Sequence, residues 1–218
     1  MKRDRPLTRE RVLRAAMVLA DEHGLDALTM RALGDALGVK AMSLYNHVTN
    51  KDDVLDGIMD LVVSEIDVPS LSDPWKDAMR KRALSAHAVL LRHPWACGQL
   101  ARANTGPAML RYVDATLGVL HRAGFSLEEA DRAWNTLDSY IFGFTIQKLN
   151  FPFEVENYAA VAAGYLPYLS QEQYPSMHAL TARVAAGAYN GVHDLSFGLE
   201  LILDGLERRV RPRGRIDV

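Results

Sequence analysis

Residues 27–51 read ALTMRALGDALGVKAMSLYNHVTNK, and two short helical patterns meet inside them at one glycine. Thr29 opens the first, because its hydroxyl can accept from an unpaired amide of the first turn, and Met30, Leu33 and Leu37 form its apolar face. Gly38 ends it, since glycine takes the left-handed conformation without a Cβ penalty, and Val39 turns back to the core. The second pattern runs from about Lys40 to Val48. It buries Leu44 and Val48 and leaves Ala41, Met42, Ser43, Tyr45, Asn46 and His47 outside. A helix this short is unstable alone and needs neighbours to hold it. This is the spacing of a helix-turn-helix, whose second helix presents its exposed start to base edges in a DNA major groove.

Helical hairpins with a glycine turn also occur in all-α proteins that never meet DNA, so the flanking sequence matters. Upstream, Thr8 to His23 carries Val12, Leu13, Ala16, Leu19 and Ala20 on one stripe and stops at Gly24, supplying the third helix of a small core. Downstream, Asn50 is an N-cap followed by Asp52 and Asp53 in the first turn, and Val54, Leu55 and Ile58 begin a new stripe. Lys51 runs against the dipole of that helix. An external anion such as a phosphate at the same amide-rich end accounts for it. Charge is distributed to match. Residues 1–51 hold nine Lys and Arg against six Asp and Glu, a net of +3, although the whole chain is −2. Lys2, Arg3 and Arg5 form a basic arm at the start. The phosphate attraction is local, so a mildly acidic remainder does not oppose it.

The rest of the chain reads as helices. Lys51 to Ile66 is a connector that ends before Val68-Pro69-Ser70. Asp73-Pro74 starts a long helix, with Asp73 as cap, Pro74 at the first helical position and Met79, Ala83, Ala86, Leu90 and Leu91 as its stripe, up to His93-Pro94. Trp95 to Arg102 is a short segment, and Gly106 to Ala123 is the next helix. Ser126-Leu127-Glu128-Glu129 is a capping box that should launch a helix to about Leu149. Between Asn150 and Asp194, prolines and glycines break the pattern into short helical pieces such as Glu156 to Leu166 and Ser176 to Ala186, and a loop or irregular cover is expected. The expected division is residues 1–66, a DNA-binding domain with its connector, and 67–218, a larger helical domain.

Two late segments are apolar on most sides, LDSYIFGFTIQKL (137–149) and FGLELILDGLERRV (197–210). One protomer's core cannot cover them, and two such helices with two from a second copy make a four-helix dimer core. No phosphate-binding glycine loop, nucleophile elbow or pair of histidines at zinc spacing is present, and the seven histidines are scattered. No catalytic residue, metal or cofactor is therefore assigned. The aromatic residues Trp95, Tyr112, Phe125, Trp134, Tyr140, Phe144, Phe151 and Tyr165 fall on the helices of the second domain. A pocket between such helices would be apolar with a few polar handles, for which Asn104, Thr105, Asn135, Asp138 and Gln147 are candidates. The ligand-binding set is Trp95, Asn104, Thr105, Tyr112, Trp134, Asp138, Phe144 and Gln147. The N-terminus lacks an apolar signal segment and no run approaches bilayer length, so a cytoplasmic protein without a membrane partner is expected. The single Cys97 cannot form an internal disulfide and reads as a small buried hydrophobe.

The string LGVKAMSLYNHVTNKDDVL (37–55) resembles the DNA-binding domain of the tetracycline-repressor (TetR) family of bacterial transcriptional regulators, with its leucine-glycine-valine turn, leucine-tyrosine pair, histidine and lysine. HRAGFSLEEADRAWNTLDSYIFGF (121–144) and DLSFGLELILDGLERRV (194–210) are similar to the C-terminal domain of the tetracycline-repressor branch. The resemblance implies an all-α homodimer that binds operator DNA and answers to a small-molecule effector. It implies that Arg31, Ala41, Met42, Ser43 and Asn46 face the bases, and that Thr29, Tyr45, His47 and Lys51 hold phosphates. It places the dimer interface on the last two long helices, at Tyr140, Gly143, Phe197, Leu201, Ile202 and Leu206. Where the tetracycline repressor presents the histidine and glutamate that bind its magnesium-drug chelate, Arg102 and Gln147 stand in this chain. An arginine cannot ligate a cation and a neutral amide is a weak substitute, so an effector without magnesium is expected, aromatic or polycyclic. Two other readings are a constitutive DNA-binding protein with no effector and a small all-α enzyme.

Overall fold

The computed structural model describes residues 6–99, 106–153 and 155–209, among which there are ten α-helices and no strand. Packing divides the chain into two compact units. One runs to Leu149 and resumes at Gly198, and the other is Asn150–Phe197.

The first unit begins with α1 (Arg9–His23), capped by the Thr8 hydroxyl, which accepts from Arg11 N, and stopped at Gly24 (φ 78°). Helix α2 (Met30–Leu37) is capped by Thr29, which accepts from Ala32 N at 3.1 Å, and ends at Gly38 in the left-handed region (φ 69°). Helix α3 (Ala41–Leu44) is shorter than its sequence pattern. Beyond it the chain closes in a turn over Tyr45–His47, with the Leu44 carbonyl accepting from both His47 N (2.8 Å) and Val48 N (3.0 Å). Leu44 and Val48 are buried as the pattern requires, so the turn keeps the inward register while dropping the helical ladder. Helix α4 (Lys51–Ser64) starts on Asn50, whose side chain accepts from Asp53 N. One core holds these pieces together: Val12, Leu13, Ala16, Leu28, Leu33, Leu44, Val48, Val54 and Ile58. Each fully buried leucine contributes roughly 1.5–3 kcal/mol against exposure.

Gly34 sets the angle between α2 and α3. A Cβ there would lie 2.9 Å from the Val39 carbonyl oxygen and 3.1 Å from Ala41 N, both backbone atoms that cannot swing aside. Gly57 allows α1 and α4 to approach in a similar way, but there the obstacle is the flexible end of Leu13.

Helix α5 (Trp75–Arg92) begins one residue later than expected. Pro74 has an extended ψ of 135° and is itself the cap, while Asp73 pairs with Lys81 at 2.8 Å. Helix α6 (Pro107–Ala123) follows, and α7 (Leu127–Leu149) opens on the anticipated capping box, with Ser126 N donating to Glu129 (2.8 Å) and Glu129 N to the Ser126 hydroxyl (3.2 Å). The carboxylate of Asp60 on α4 accepts from Ala108 N and Met109 N at 3.0 Å, so the connector caps the first turn of α6. A second tie is His93, nearly buried after α5. Its Nδ1 lies 2.7 Å from Asp21 on α1 and its Nε2 lies 3.3 Å from Glu65 at the end of α4. Burial works against the Glu65 charge, but the bonds from Arg92 and His93 outweigh it and hold its pKa below the ordinary value. Cys97 is half-buried rather than a core residue, and burial raises its thiol pKa.

In the second unit, α8 (Tyr158–Tyr165) packs on α9 (Pro175–Ala185), close to the two short helical pieces expected there. Phe151, Phe153 and Tyr158 form an aromatic cluster beside an apolar cleft of about 480 Å³ between the two helices. The last described helix, α10 (Leu195–Glu207), belongs from Gly198 onward to the first unit. Leu199 and Leu203 are buried, and the opposite face is fastened at its edge to α5 by Lys76 with Asp204 and Glu207 (2.7 and 2.9 Å) and by Arg80 with Glu200.

Candidate nucleic-acid interface and effector cavity

Among the residues expected to meet DNA, Thr29, Arg31, Met42, Tyr45, Asn46 and Lys51 are exposed, and Ala41, Ser43 and His47 are half-buried. Met42 is 75% exposed, an apolar side chain with no core to enter. In a major groove such a chain meets thymine methyl groups. Among the described residues no ion pair engages Arg31 or Lys51, so both charges are available to an external anion. Thr29 uses its oxygen as acceptor in the cap and keeps its proton to donate.

The sequence reading missed the clamp behind this surface. Arg9 on α1 makes two bonds to Asp53 on α4, at 3.0 and 2.6 Å, and a third to the His47 carbonyl at 3.3 Å, while Asp53 also accepts from Thr49 N at 2.7 Å. Three segments are thereby joined around the end of the reading element. The Arg9 bonds, chiefly, hold the Asp53 pKa at about 2 against a usual 3.8. Its contribution to stability is therefore complete above about pH 4 and disappears as the pH falls towards 2. With Arg9 half-exposed, solvent screening reduces this to about 1 kcal/mol. Asp53→Asn is expected to lower the melting temperature at pH 6, and the gap to the wild type should narrow between pH 4 and 2. A gap that is unchanged down to pH 2 would show that the pair contributes nothing through its charge.

The second part of the site is a cavity of about 370 Å³ in the first unit, bounded by α4, α5, α6 and α7. Val62, Val63 and Ile66 from the connector side, Leu90, Met109 and Val113 give it apolar walls, and Tyr112, Trp134, Asn135, Asp138 and Ser139 give it a polar end. Tyr112, Trp134 and Asp138 of the expected ligand set thus come together. The others do not. Trp95 packs on the core of the N-terminal helices, with its indole donating to Asp21 at 2.6 Å. Phe144 sits against His87 and Tyr140, and Gln147 is exposed outside the cavity wall. Asn104, Thr105 and Arg102, like the arm Lys2, Arg3 and Arg5, lie outside the described residues.

Behind the polar end is Arg82, fully buried on α5 and bonded to Asp138, with its guanidinium 4.7 Å from the centre of the Tyr112 ring. Burial raises the Asp138 pKa while Arg82 pulls it back, and burial holds the Tyr112 phenol well above its ordinary value. Arg82 was legible in principle. It falls at core spacing with Ala78, Met79, Ala86 and Val89, and a charge on a buried stripe needs a partner.

On the dimer set, Phe197 and Leu201 are 77% and 61% exposed, Ile202 and Leu206 are half-buried, and Gly143 is exposed with open space where a Cβ would go. Tyr140 is half-buried and lays its phenol against Gly198, where a Cβ would collide with it.

The comparisons with known proteins agree with this geometry. Residues 12–58 match the family model for bacterial regulatory proteins of the tetR family, and residues 68–210 match that for the tetracyclin repressor-like C-terminal domain. A helix-turn-helix regulator of Saccharopolyspora erythraea is 37% identical over 139 residues, spanning 63% of this chain and 59% of its own length. The transcriptional repressor DrrR1 of Streptomyces coeruleorubidus is 30% identical (95% of this chain, 80% of that one), and the class A tetracycline repressor of Escherichia coli is 31% identical (91% and 89%). The crystal structure of ActR from Streptomyces coelicolor in complex with actinorhodin superposes with a TM-score of 0.79 at 27% identity, covering 94% of this chain and 97% of that one. The chain belongs to the TetR family: it is a DNA-binding transcriptional regulator with an N-terminal helix-turn-helix, from a family whose members are not enzymes. No helix among the described residues is long and apolar enough to cross a membrane.

Proposed function

We propose that this regulator is a cytoplasmic homodimeric repressor that binds a palindromic operator and is released by a small aromatic or polycyclic effector, without magnesium. Residues 1–66 read the DNA, and 67–218 bind the effector and dimerise. Thr29, Arg31, Ala41, Met42, Ser43, Tyr45, Asn46, His47 and Lys51 form the DNA surface. The effector occupies the cavity between α4 and α7, and α7 and α10 pair with their copies.

One observation carries the effector reading: Val62, Val63 and Ile66 line the cavity, so a ligand there touches the end of the helix whose start, Lys51, is assigned to the DNA surface. Asp60 on the same helix caps α6, another cavity wall, and gives ligand-induced movement of α6 a direct hold on the connector. Release requires only that the ligand bind more tightly to the arrangement that does not fit the operator. The cleft between α8 and α9 is larger, but its lining lies wholly within residues 153–193 and includes no part of the connector. ActR, solved with actinorhodin and with (S)-DNPA, supports an aromatic ligand.

The test is titration of the protein on labelled operator with a panel of aromatic compounds, with and without magnesium. At least one compound should release the DNA without magnesium, and tetracycline should fail at concentrations that release the tetracycline repressor. Release by tetracycline only with magnesium would refute the metal-free effector. An operator complex that survives every compound would leave a constitutive DNA-binding protein.

A further inference from the structure

Among the described residues of the first unit, four buried side-chain atoms make no well-formed hydrogen bond: Tyr112 Oη, Trp134 Nε1, and Arg82 Nε and Nη1, although Trp134 is close enough to Asp138, and Arg82 to Tyr112, to influence their charge. Three can only donate, and the fourth is a hydroxyl that can do so. Two of them, Tyr112 Oη and Trp134 Nε1, belong to residues lining the α4–α7 cavity, and Tyr112 is 4% exposed. Among the described residues the one carboxylate in the cavity wall is Asp138, already bonded to Arg82, which is fully buried. The polar end therefore holds poorly matched donors and an acid already paired with Arg82, with apolar walls elsewhere.

We infer that the effector presents a hydrogen-bond-accepting oxygen, as a carbonyl or a carboxylate, to the Tyr112 hydroxyl and the Trp134 indole N–H, and carries no cationic group. An acceptor there gives a well-formed bond to donors that the folded protein leaves poorly matched, which is where a ligand gains most from a single bond. A cation meets the opposite situation. It loses its hydration on entry, and the one acid among the described lining residues, Asp138, is engaged by Arg82. This inference rests on the α4–α7 cavity being the effector site.

Three probes on one tricyclic frame separate the chemistries: acridone, a neutral carbonyl; anthracene-9-carboxylate, an anion; and 9-aminoacridine, a cation at neutral pH. Binding to the full chain is measured by calorimetry, and release from labelled operator by anisotropy. At least one acceptor probe should bind and release the operator, with 9-aminoacridine about tenfold weaker or more. Whichever of the two acceptor probes binds more tightly identifies the oxygen as neutral or anionic. Tyr112→Phe and Trp134→Phe keep their rings and each remove one donor, so each should weaken the acceptor probes about 5- to 10-fold, one hydrogen bond, and leave 9-aminoacridine within about twofold.

Equal or tighter binding of 9-aminoacridine, wild-type affinity of both variants for the acceptor probes, or failure of all three probes to bind would overturn the inference. If another compound lacking an acceptor oxygen then releases the operator, the effector reading stands and only its polarity is wrong. If no compound of any kind releases it, both fall together.

Discussion

A charge at Leu201 is expected to leave a folded protomer and abolish the dimer. Leu201 is 61% exposed and Phe197, one turn earlier, 77%, while Leu199 and Leu203 are buried on the other side of α10. An aspartate at 201 therefore costs the isolated protomer almost nothing. In the proposed four-helix interface the same aspartate is an unpaired ion in a dry contact, at about 3 kcal/mol or more for each protomer. Counted twice by symmetry, that weakens the dimer by about four orders of magnitude. The α7 side of the interface offers Gly143, whose missing side chain nothing in the protomer requires, and Ile146, 42% exposed. Sedimentation velocity should show a wild-type dimer at micromolar concentration and a Leu201→Asp monomer with unchanged helical circular dichroism. Operator binding should go with it, because one short reading element makes too few contacts alone. A monomeric wild type, or a Leu201→Asp dimer, would contradict this arrangement.

The second large effect is on DNA reading, where two cations should behave differently. Arg31, exposed in the first turn of α2, is assigned to a guanine edge, and Lys51, at the first residue of α4, to a phosphate. Arg31→Ala should weaken specific binding by about 1–3 kcal/mol and relax the preference at one position of each half-site. Lys51→Ala should weaken binding to every sequence alike and reduce the slope of log affinity against log salt by about 1 for each lysine lost. Identical footprints and salt slopes for the two variants would remove the distinction between reader and anchor.

The N-terminal helices were legible because local signals there are dense. Thr8, Thr29 and Asn50 cap where their side-chain chemistry says they should, and Gly24 and Gly38 take the positive φ that their positions demand. The extent of α3 was not, because Val48 keeps the inward periodicity in a turn as well as it would in a helix. Pro74 likewise reads as a first helical residue from its type alone, but its extended ψ makes it the cap. Contacts between distant segments were out of reach. The Arg9 bonds to Asp53 span 44 residues and the Arg82 bond to Asp138 spans 56, and no local rule pairs them. The same limit explains the ligand set. Periodicity puts Trp95, Tyr112, Trp134 and Phe144 on helices, but only packing shows that Tyr112 and Trp134 share a cavity, while Trp95 joins the head core and Phe144 stacks near His87. Asp60 could not be assigned from its own helix, where it is an ordinary acid. Its role appears only when the start of α6 arrives beside it.

Footprinting of the DNA flanking the gene, repeated across a titration of a cavity ligand, tests the central claim most directly. A dimeric repressor should protect two symmetric half-sites, one protomer on each, with centres one helical turn of about 34 Å or a multiple apart, and protection of both should disappear together as ligand is added. Protection of a single asymmetric site by one protomer, or symmetric protection that no ligand alters, would contradict a dimeric repressor governed from the α4–α7 cavity.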